Sequence, residues 1–503
     1  MLSRPVIPRV ALVLMTIRRE DIRPSLDEFI ALAAEYSVVP VTCEVLADRE
    51  TPVSCFETLC GDGPAFLLES VEGGENWARW SFVGWDPLFV VRSHDGRVNV
   101  EQEEGETPLD VLNRLATSHT TPKLPGLPPL HSGLVGYLAF DAIRYIEVLP
   151  NRPSDDRGLP EMLWQFVGSL AAFDRFRQSI ILIRNVLVGD KPTEQYEEAV
   201  LRLLEAGSRL GRTREYSPSP IDQSVQDPPF TSTFERSEFE AAVRRCKEYI
   251  LGGDAFQIVL SQRLATPYVG DPFLVYRALR LINPSPFLFF VRDEEVTLAG
   301  ASPELMTRVR DGVAYSRPIA GTRKRGVSEE EDRRLEAELL ADPKERAEHV
   351  MLIDLARNDL GRVCEFGTVR VDDLMVIERY SHVMHIVSGV SGKVRDGRTG
   401  VDVIKATFPH GTVSGAPKVR AIEIIDEIEP VARGPYAGMV GYLDFSGNVD
   451  TCIGLRTVVF GQEMAWVQAG AGLVADSDPA LEYEETMNKA AAALKAISRS
   501  QYL

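Results

Sequence analysis

The sequence predicts an α+β fold built on antiparallel sheets. Short runs rich in β-branched and aromatic residues (256–264, 288–291, 297–299, 314–317, 383–390, 438–444 and 465–469) are joined by hairpin-like turns. Helical stretches fall between them without regular strand–helix alternation, which argues against a parallel sheet. No repeat of solenoid period is present.

The first half, from about residue 38 to 188, is strand-rich, with apolar runs at 65–68, 88–92, 133–140 and 179–188. A Pro-rich loop at 122–129 interrupts it, and 190–210 is a charged helical segment. Residues 211–230 hold four prolines among polar residues and read as a linker or long loop. The chain restarts at 232 or 233, and 237–251 is an amphipathic helix ended by Gly252-Gly253. The expected organisation is an N-terminal extension of no assigned role (1–23), an N-terminal region (24–210), a linker or long loop (211–232) and a C-terminal region (233–503).

Bulk properties exclude several classes. An apolar fraction of 44% and a charged fraction of 26% in 503 residues are those of an ordinary globular protein. A net charge of −19 argues against nucleic acid or an anionic membrane as partner. It does not exclude a small anionic substrate, because charges beyond a Debye length of ~8 Å are screened. Six scattered cysteines without a Cys-x-x-Cys pair suggest a reduced, cytoplasmic setting. The apolar run 10–17 is too short to span a membrane. It has the look of a signal-peptide core, but no Ala-x-Ala site follows.

The most informative segment is 342–361. Asp342 can cap a helix, Pro343 suits its first position and Gly361 can end it. Glu345, Glu348 and His349 then share one side, while Val350, Leu352, Ile353 and Leu355 make the rest apolar and the helix buried. Asp478-Pro479 opens a second such helix, with Glu482 and Glu485 at i, i+3 and Lys489 a turn later. Oxygen ligands of this kind suit Mg²⁺. Zinc would want more His or Cys, and a di-iron site would need Glu where Arg346 stands.

Other motifs add chemistry. Ala301-Ser-Pro-Glu304 places a carboxyl just after a strand, where burial would make it a general acid. Gly321 and Thr322, in Arg317-Pro-Ile-Ala-Gly-Thr322, offer a backbone and hydroxyl pair able to hold a carboxylate. Gly411-Thr-Val-Ser-Gly-Ala-Pro-Lys418 fails the Walker spacing, so nucleotide hydrolysis gains nothing from it. Arg456 is read within an apolar strand, where it meets either a substrate carboxylate or an internal salt bridge. Gly470-Ala-Gly472 permits close backbone approach to a ligand.

These motifs, in this order, resemble the chorismate-utilising enzymes, and most closely the synthase subunits (component I) of the anthranilate synthases. The resemblance runs from about Pro24 to the C-terminus. It implies two antiparallel β-sheets packed as a sandwich with helices on the outside. It also implies Mg²⁺ on Glu348 and Glu485, with Glu345 and Glu482 further out or acting through water, against the ring carboxylate of chorismate. Arg456, Tyr442 and the Gly470, Ala471 and Gly472 backbone would hold the enolpyruvyl carboxylate, with Gly321, Thr322 and Lys489 completing the anion site. Glu304 would be the acid, Thr412 would orient the ligand, and His349 would assist the final elimination.

Two positions separate family members. Those that add water carry a lysine where this chain has Gln257, and an amide cannot deprotonate water. Aminodeoxychorismate synthases use a lysine nucleophile where this chain has Ala320. Both point to direct attack by ammonia and to anthranilate. The chain has no Cys–His–Glu glutaminase signature, so the resemblance implies a separate glutaminase subunit in a heterotetramer of two of each. It also implies a tryptophan site formed by Ser70, Pro286, Phe287 and Leu288 between the two halves, although Phe287-Leu288 departs from the commoner Tyr-Met. Two competing readings are an enzyme that stops at 2-amino-2-deoxyisochorismate and a non-catalytic tryptophan-binding regulator. The second would be supported by loss of Glu304, Glu348 or Glu485, and all three are present.

Overall fold

The structure, a computed structural model, describes residues 17–46, 48–70, 79–212, 226–380 and 383–503. Among them the strands form two antiparallel sheets, of twelve and eleven strands. The strand Phe287–Arg292 shows how the sequence builds the sandwich. Successive side chains leave a strand on opposite faces. Phe289 and Val291 therefore enter the core between the sheets, with Phe66, Tyr137, Val440 and Trp466. Leu288 and Phe290 face the other way, into a layer of helices that contributes Phe56, Tyr276 and Leu494. Both faces are covered, which is why the run is continuously apolar rather than alternating. The second sheet is covered in the same way by Pro108–Ser118, Pro343–Gly361 and Gly400–Thr407, through Leu112, Ile353 and Ile404. The expected α+β sandwich with external helices is the observed architecture.

The two sequence regions do not correspond to two separate sheets. In the first sheet Ala65–Glu69 pairs with Phe287–Arg292, setting Glu69 opposite Leu288. In the second, Gly133–Leu138 pairs with Met439–Asp444, setting Gly136 opposite Gly441. A Cβ on Gly136 would lie 1.9 Å from the Leu163 carbonyl oxygen, so only glycine lets the neighbouring strand come this close.

The expected extension 1–23 divides. Residues 1–16 lie outside the described residues, but 17–23 belong to the fold. Ile22 is buried, Ile17 packs on the core, and Arg23 exchanges two backbone hydrogen bonds with Thr42. Of the expected linker, 213–225 lie outside the described residues, and Thr231–Ser232 pairs with Leu264 and Ala265. The six cysteines are buried and free. No helix among the described residues is long and apolar enough to cross a membrane.

Shared sheets make the halves interdependent. Produced alone, residues 226–503 would leave the edges of Phe287–Arg292 and Met439–Asp444 open. The expected outcome is aggregation and dye binding, relieved by co-production with residues 1–212. A monodisperse, cooperatively melting 226–503 fragment would contradict this.

Candidate active site

Two capped helices bring the acidic residues together. Asp342 accepts hydrogen bonds from the backbone N–H groups of Lys344 and Glu345 at the start of Pro343–Gly361. Asp478 does the same for Ala480 and Leu481 at the start of Pro479–Arg499. Each satisfies donors that a helix start leaves free. The first helix is half-buried, with Leu352 and Ile353 inward and Val350 exposed, rather than wholly buried as expected.

The carboxyls act on one another. Burial raises the pKa of Glu348, and the charges of Glu345 and Glu485 add to it. Glu482 is raised by burial and by Glu485. Gln257 Nε2 donates to Glu348 Oε1 at 3.4 Å, and Lys489 Nζ lies 2.7 Å from Glu485 Oε1. Among the described residues no three His, Cys, Asp or Glu side chains converge as a metal site. Two carboxylates near enough to feel each other's charge are nonetheless what Mg²⁺ takes from a protein when substrate and water complete its shell.

Glu304 lies between the strands Thr297–Ser302 and Leu305–Arg310, its backbone C=O accepting from Ile453 N–H. Its carboxyl is 4% exposed, and Oε1 accepts from Thr412 Oγ1 at 2.7 Å. Burial pushes its pKa up to about 8, against the pull of the Thr412 hydrogen bond and the Lys489 charge. It is therefore largely protonated at neutral pH.

Thr412 is held from below by a buried ion pair. Arg433 donates to the Val413 and Val259 carbonyls at 2.7 and 2.6 Å, and through Nε and Nη2 to Glu429. Glu429 Oε1 also accepts from Ser261 N–H and Oγ.

The cationic end is built around Arg456. The strand Val449–Ile453 stops short of it, so it sits in the connection to Thr457–Gly461 at φ +48° rather than within a strand as expected. Its Nη1 donates to Asn283 Oδ1 at 3.1 Å, and no carboxylate among the described residues lies within ion-pair distance. Arg456, Asn283, Glu485 and Lys489 line one cleft of about 570 Å³. Lys489 Nζ also donates to the Gly470 carbonyl at 3.1 Å. A Cβ on Gly470 would come within 2.8 Å of Tyr436 Oη, and one on Gly472 within 2.8 Å of Gln257 Nε2. Ala471 turns its methyl into the apolar cluster with Ile258 and Leu260, leaving only backbone for a ligand. Gly321, at φ +67°, abuts Glu345.

Two expected residues are placed elsewhere. Tyr442 packs on Phe82 and lines a second cleft. The tyrosine hydroxyl beside Gly470 is that of Tyr436. His349 has no exposed surface, its Nε2 pairs with Ser388 Oγ at 2.7 Å, and it does not line the cleft.

The imidazole beside Gly321 and Thr322 is His385, which sequence reasoning missed. Its Nδ1 lies 3.0 Å from Thr322 Oγ1 and 3.1 Å from the Gly321 carbonyl. Burial lowers its pKa, against the pull of the hydrogen bond to the Gly321 carbonyl, and the Arg456 charge lowers it further. Met384 and Ile386 on either side are fully buried, so strand alternation alone sets His385 on the opposite face. Glu429 and Arg433 were also missed; their signal was an i, i+4 charge pair just beyond a helix end. The second cleft, about 110 Å³, is lined by Ser70, Pro286, Phe287 and Leu288, with Tyr442 and Trp80.

The family model described as chorismate binding enzyme matches residues 63–495. Component 1 of anthranilate synthase from Acetivibrio thermocellus is 46% identical over 487 residues, covering 95% of this chain and 99% of that protein. The protein of the same name from Pseudomonas putida is 44% identical, covering 94% and 98%. In three dimensions the chain is similar to anthranilate synthase component I from Streptococcus pneumoniae TIGR4, with a TM-score of 0.74 at 35% identity, covering 90% of this chain and 98% of that one.

The ion pair beneath Thr412 can be tested directly. Glu429→Gln leaves a buried guanidinium without its counter-charge and is expected to cost about 3–5 kcal/mol. Chemical denaturation against the parent protein measures this, and an unchanged midpoint would refute it.

Proposed function

The chain belongs to the chorismate-binding enzyme family, and from that premise we propose that it is the synthase subunit of an anthranilate synthase. It would convert chorismate and ammonia to anthranilate, pyruvate and water, the committed step towards tryptophan. The observation that carries this reading is Glu304: a carboxyl kept protonated by burial, within the field of Lys489, which lines one cleft with the carboxylate-free Arg456.

Chorismate is a dicarboxylate. Arg456, steadied by Asn283, would take its enolpyruvyl carboxylate in bidentate geometry, with Tyr436 and the Gly470 to Gly472 backbone around it. Gly321, Thr322 and Lys489 would complete the anion site. Glu348 and Glu485 would hold Mg²⁺, with Glu345 and Glu482 further out, and the ion would neutralise the ring carboxylate. Ammonia attacks C2 while Glu304 gives its proton to the C4 hydroxyl, which leaves as water. The product is 2-amino-2-deoxyisochorismate.

Loss of the C2 proton, cleavage of the enolpyruvyl C–O bond and protonation of the departing methylene carbon then yield anthranilate and pyruvate. His385, neutral and hydrogen-bonded to Thr322, is the imidazole that the geometry offers to the C2 proton, in place of the buried His349. Gln257 cannot activate water and Ala320 cannot attack chorismate, which leaves ammonia as the nucleophile. A separate glutaminase subunit, in a heterotetramer of two of each, would deliver it in the cytoplasm. Tryptophan in the second cleft, against Ser70, Pro286, Phe287 and Leu288, would inhibit the reaction.

Anthranilate fluorescence from purified chain, chorismate, Mg²⁺ and excess ammonium salt tests the proposal. Signal is expected without any glutaminase and should disappear in Glu485→Gln. Chorismate consumed without fluorescence would mean that the reaction stops at the amino intermediate. Because Glu304 must be protonated to act, kcat/KM per neutral ammonia should fall above about pH 8. Glu304→Gln should remove that limb and cost roughly 10²–10⁴ in rate. His385→Asn should slow anthranilate release far more than His349→Asn, whose effect should fall on melting temperature instead; equal rate losses would contradict the assignment.

A further inference from the structure

We propose that His410 is a positioning residue for Glu304: its Nδ1, 3.0 Å from Thr412 Oγ1 and 3.5 Å from Glu304 Oε1, competes for the single hydroxyl proton of Thr412 and so favours the protonated acid. The inference rests on the reading of Glu304 as the general acid.

The ring's protonation follows from its surroundings. His410 is 6% exposed and is the cap of the short helix Gly411–Ser414, where Nδ1 accepts the Thr412 N–H at 3.4 Å. Nδ1 therefore carries a lone pair, and the ring hydrogen resides on Nε2. Burial, and the positive charge of Lys418 from the helix Lys418–Ile428, oppose a second proton and bring the pKa down to about 3. Lys418 itself is paired with Asp359 at 2.8 Å. The other charge facing Glu304 is Lys489, from the C-terminal helix, which favours the ionised form.

Two hydrogen-bond arrangements compete. With Glu304 ionised, the Thr412 hydroxyl donates to Oε1. Nδ1 then keeps only its long contact with the Thr412 N–H, and its lone pair stands 3.5 Å from an anionic oxygen. With Glu304 protonated on Oε2, the oxygen that Thr412 does not engage, Oε1 needs the hydroxyl less and Thr412 can serve Nδ1. A buried acceptor left with one long donor beside an anionic oxygen is costly, so His410 shifts the balance towards the second arrangement. A group with no lone pair at this position would surrender Thr412 wholly to the carboxylate and stabilise its ionised form.

The test compares pH profiles of kcat/KM, expressed per neutral ammonia, for the parent enzyme and for His410→Leu, His410→Ala, His410→Asn and Glu304→Gln. Removing the acceptor in His410→Leu or His410→Ala should move the basic limb down by roughly half a unit to one unit. His410→Asn, whose amide oxygen can stand where Nδ1 stands, should restore it. If Glu304→Gln abolishes the limb while the Leu and Ala variants leave it in place, the role of His410 is refuted. If Glu304→Gln leaves the limb intact, it is the general-acid reading that fails.

A measurement on the parent protein guards against variants that do not fold. The ¹⁵N resonance of His410 Nδ1 should shift over the pH range in which Glu304 titrates, as the Thr412 hydroxyl moves to Oε1. A resonance unchanged across that range would overturn the proposal.

Discussion

The buried pair Glu429–Arg433 is the joint on which the cleft depends. A guanidinium and a carboxylate removed from water are expensive unless their hydrogen-bonding capacity is used. Here Arg433 ties the strand Gln257–Pro267 to the Gly411–Ser414 turn through the Val259 and Val413 carbonyls, and Glu429 grips Ser261. The turn carries Thr412, and Thr412 meets Glu304. The strand also carries Gln257, which touches Glu348. One fully engaged charge pair thus sets the acid against the acidic helix, and any slippage would leave buried charge unmatched.

The cleft balances charge more evenly than the protein as a whole, with Arg456 and Lys489 set against Glu484 and Glu485. The chain carries −19, yet Arg456 and Lys489 line the cleft while burial holds Glu304 in its neutral form. The remaining carboxylates are crowded, so Glu348 and Glu482 repel their neighbours and gain from a cation or a proton. Local desolvation, not net charge, determines what such a cleft accepts.

The two clefts share a segment of chain. Asn283, which steadies Arg456, stands three residues before Pro286, and Pro286, Phe287 and Leu288 wall the second cleft. Leu288 is paired with Ala301, and Phe287 with Ser302, two residues before Glu304. Ser70 reaches the same cleft from the first half of the chain because Ala65–Glu69 is stitched directly to Phe287–Arg292. Continuity of the sheets across both halves is what gives the second cleft walls from each.

What the sequence determined by itself was local and periodic. Caps at Asp342 and Asp478 set the two acidic helices in register, since a cap and an i, i+3 spacing are properties of a few adjacent residues. Short strand runs joined by hairpin-like turns announced antiparallel sheets for the same reason, whereas the sandwich was implied by the family resemblance. Tertiary structure alone decided which side chains share a cleft. His349 and His385 both had the right chemistry, but packing against Ser388 buries one, and strand alternation beside Thr322 presents the other. Tyr436 rather than Tyr442 stands by Gly470, because the sheet turns Tyr442 to Phe82 and the chain before that strand brings Tyr436 to the glycine. The partners of Arg433, Glu304 and His410 lie far away in sequence, and no periodicity encodes a contact made only when two sheets close on each other.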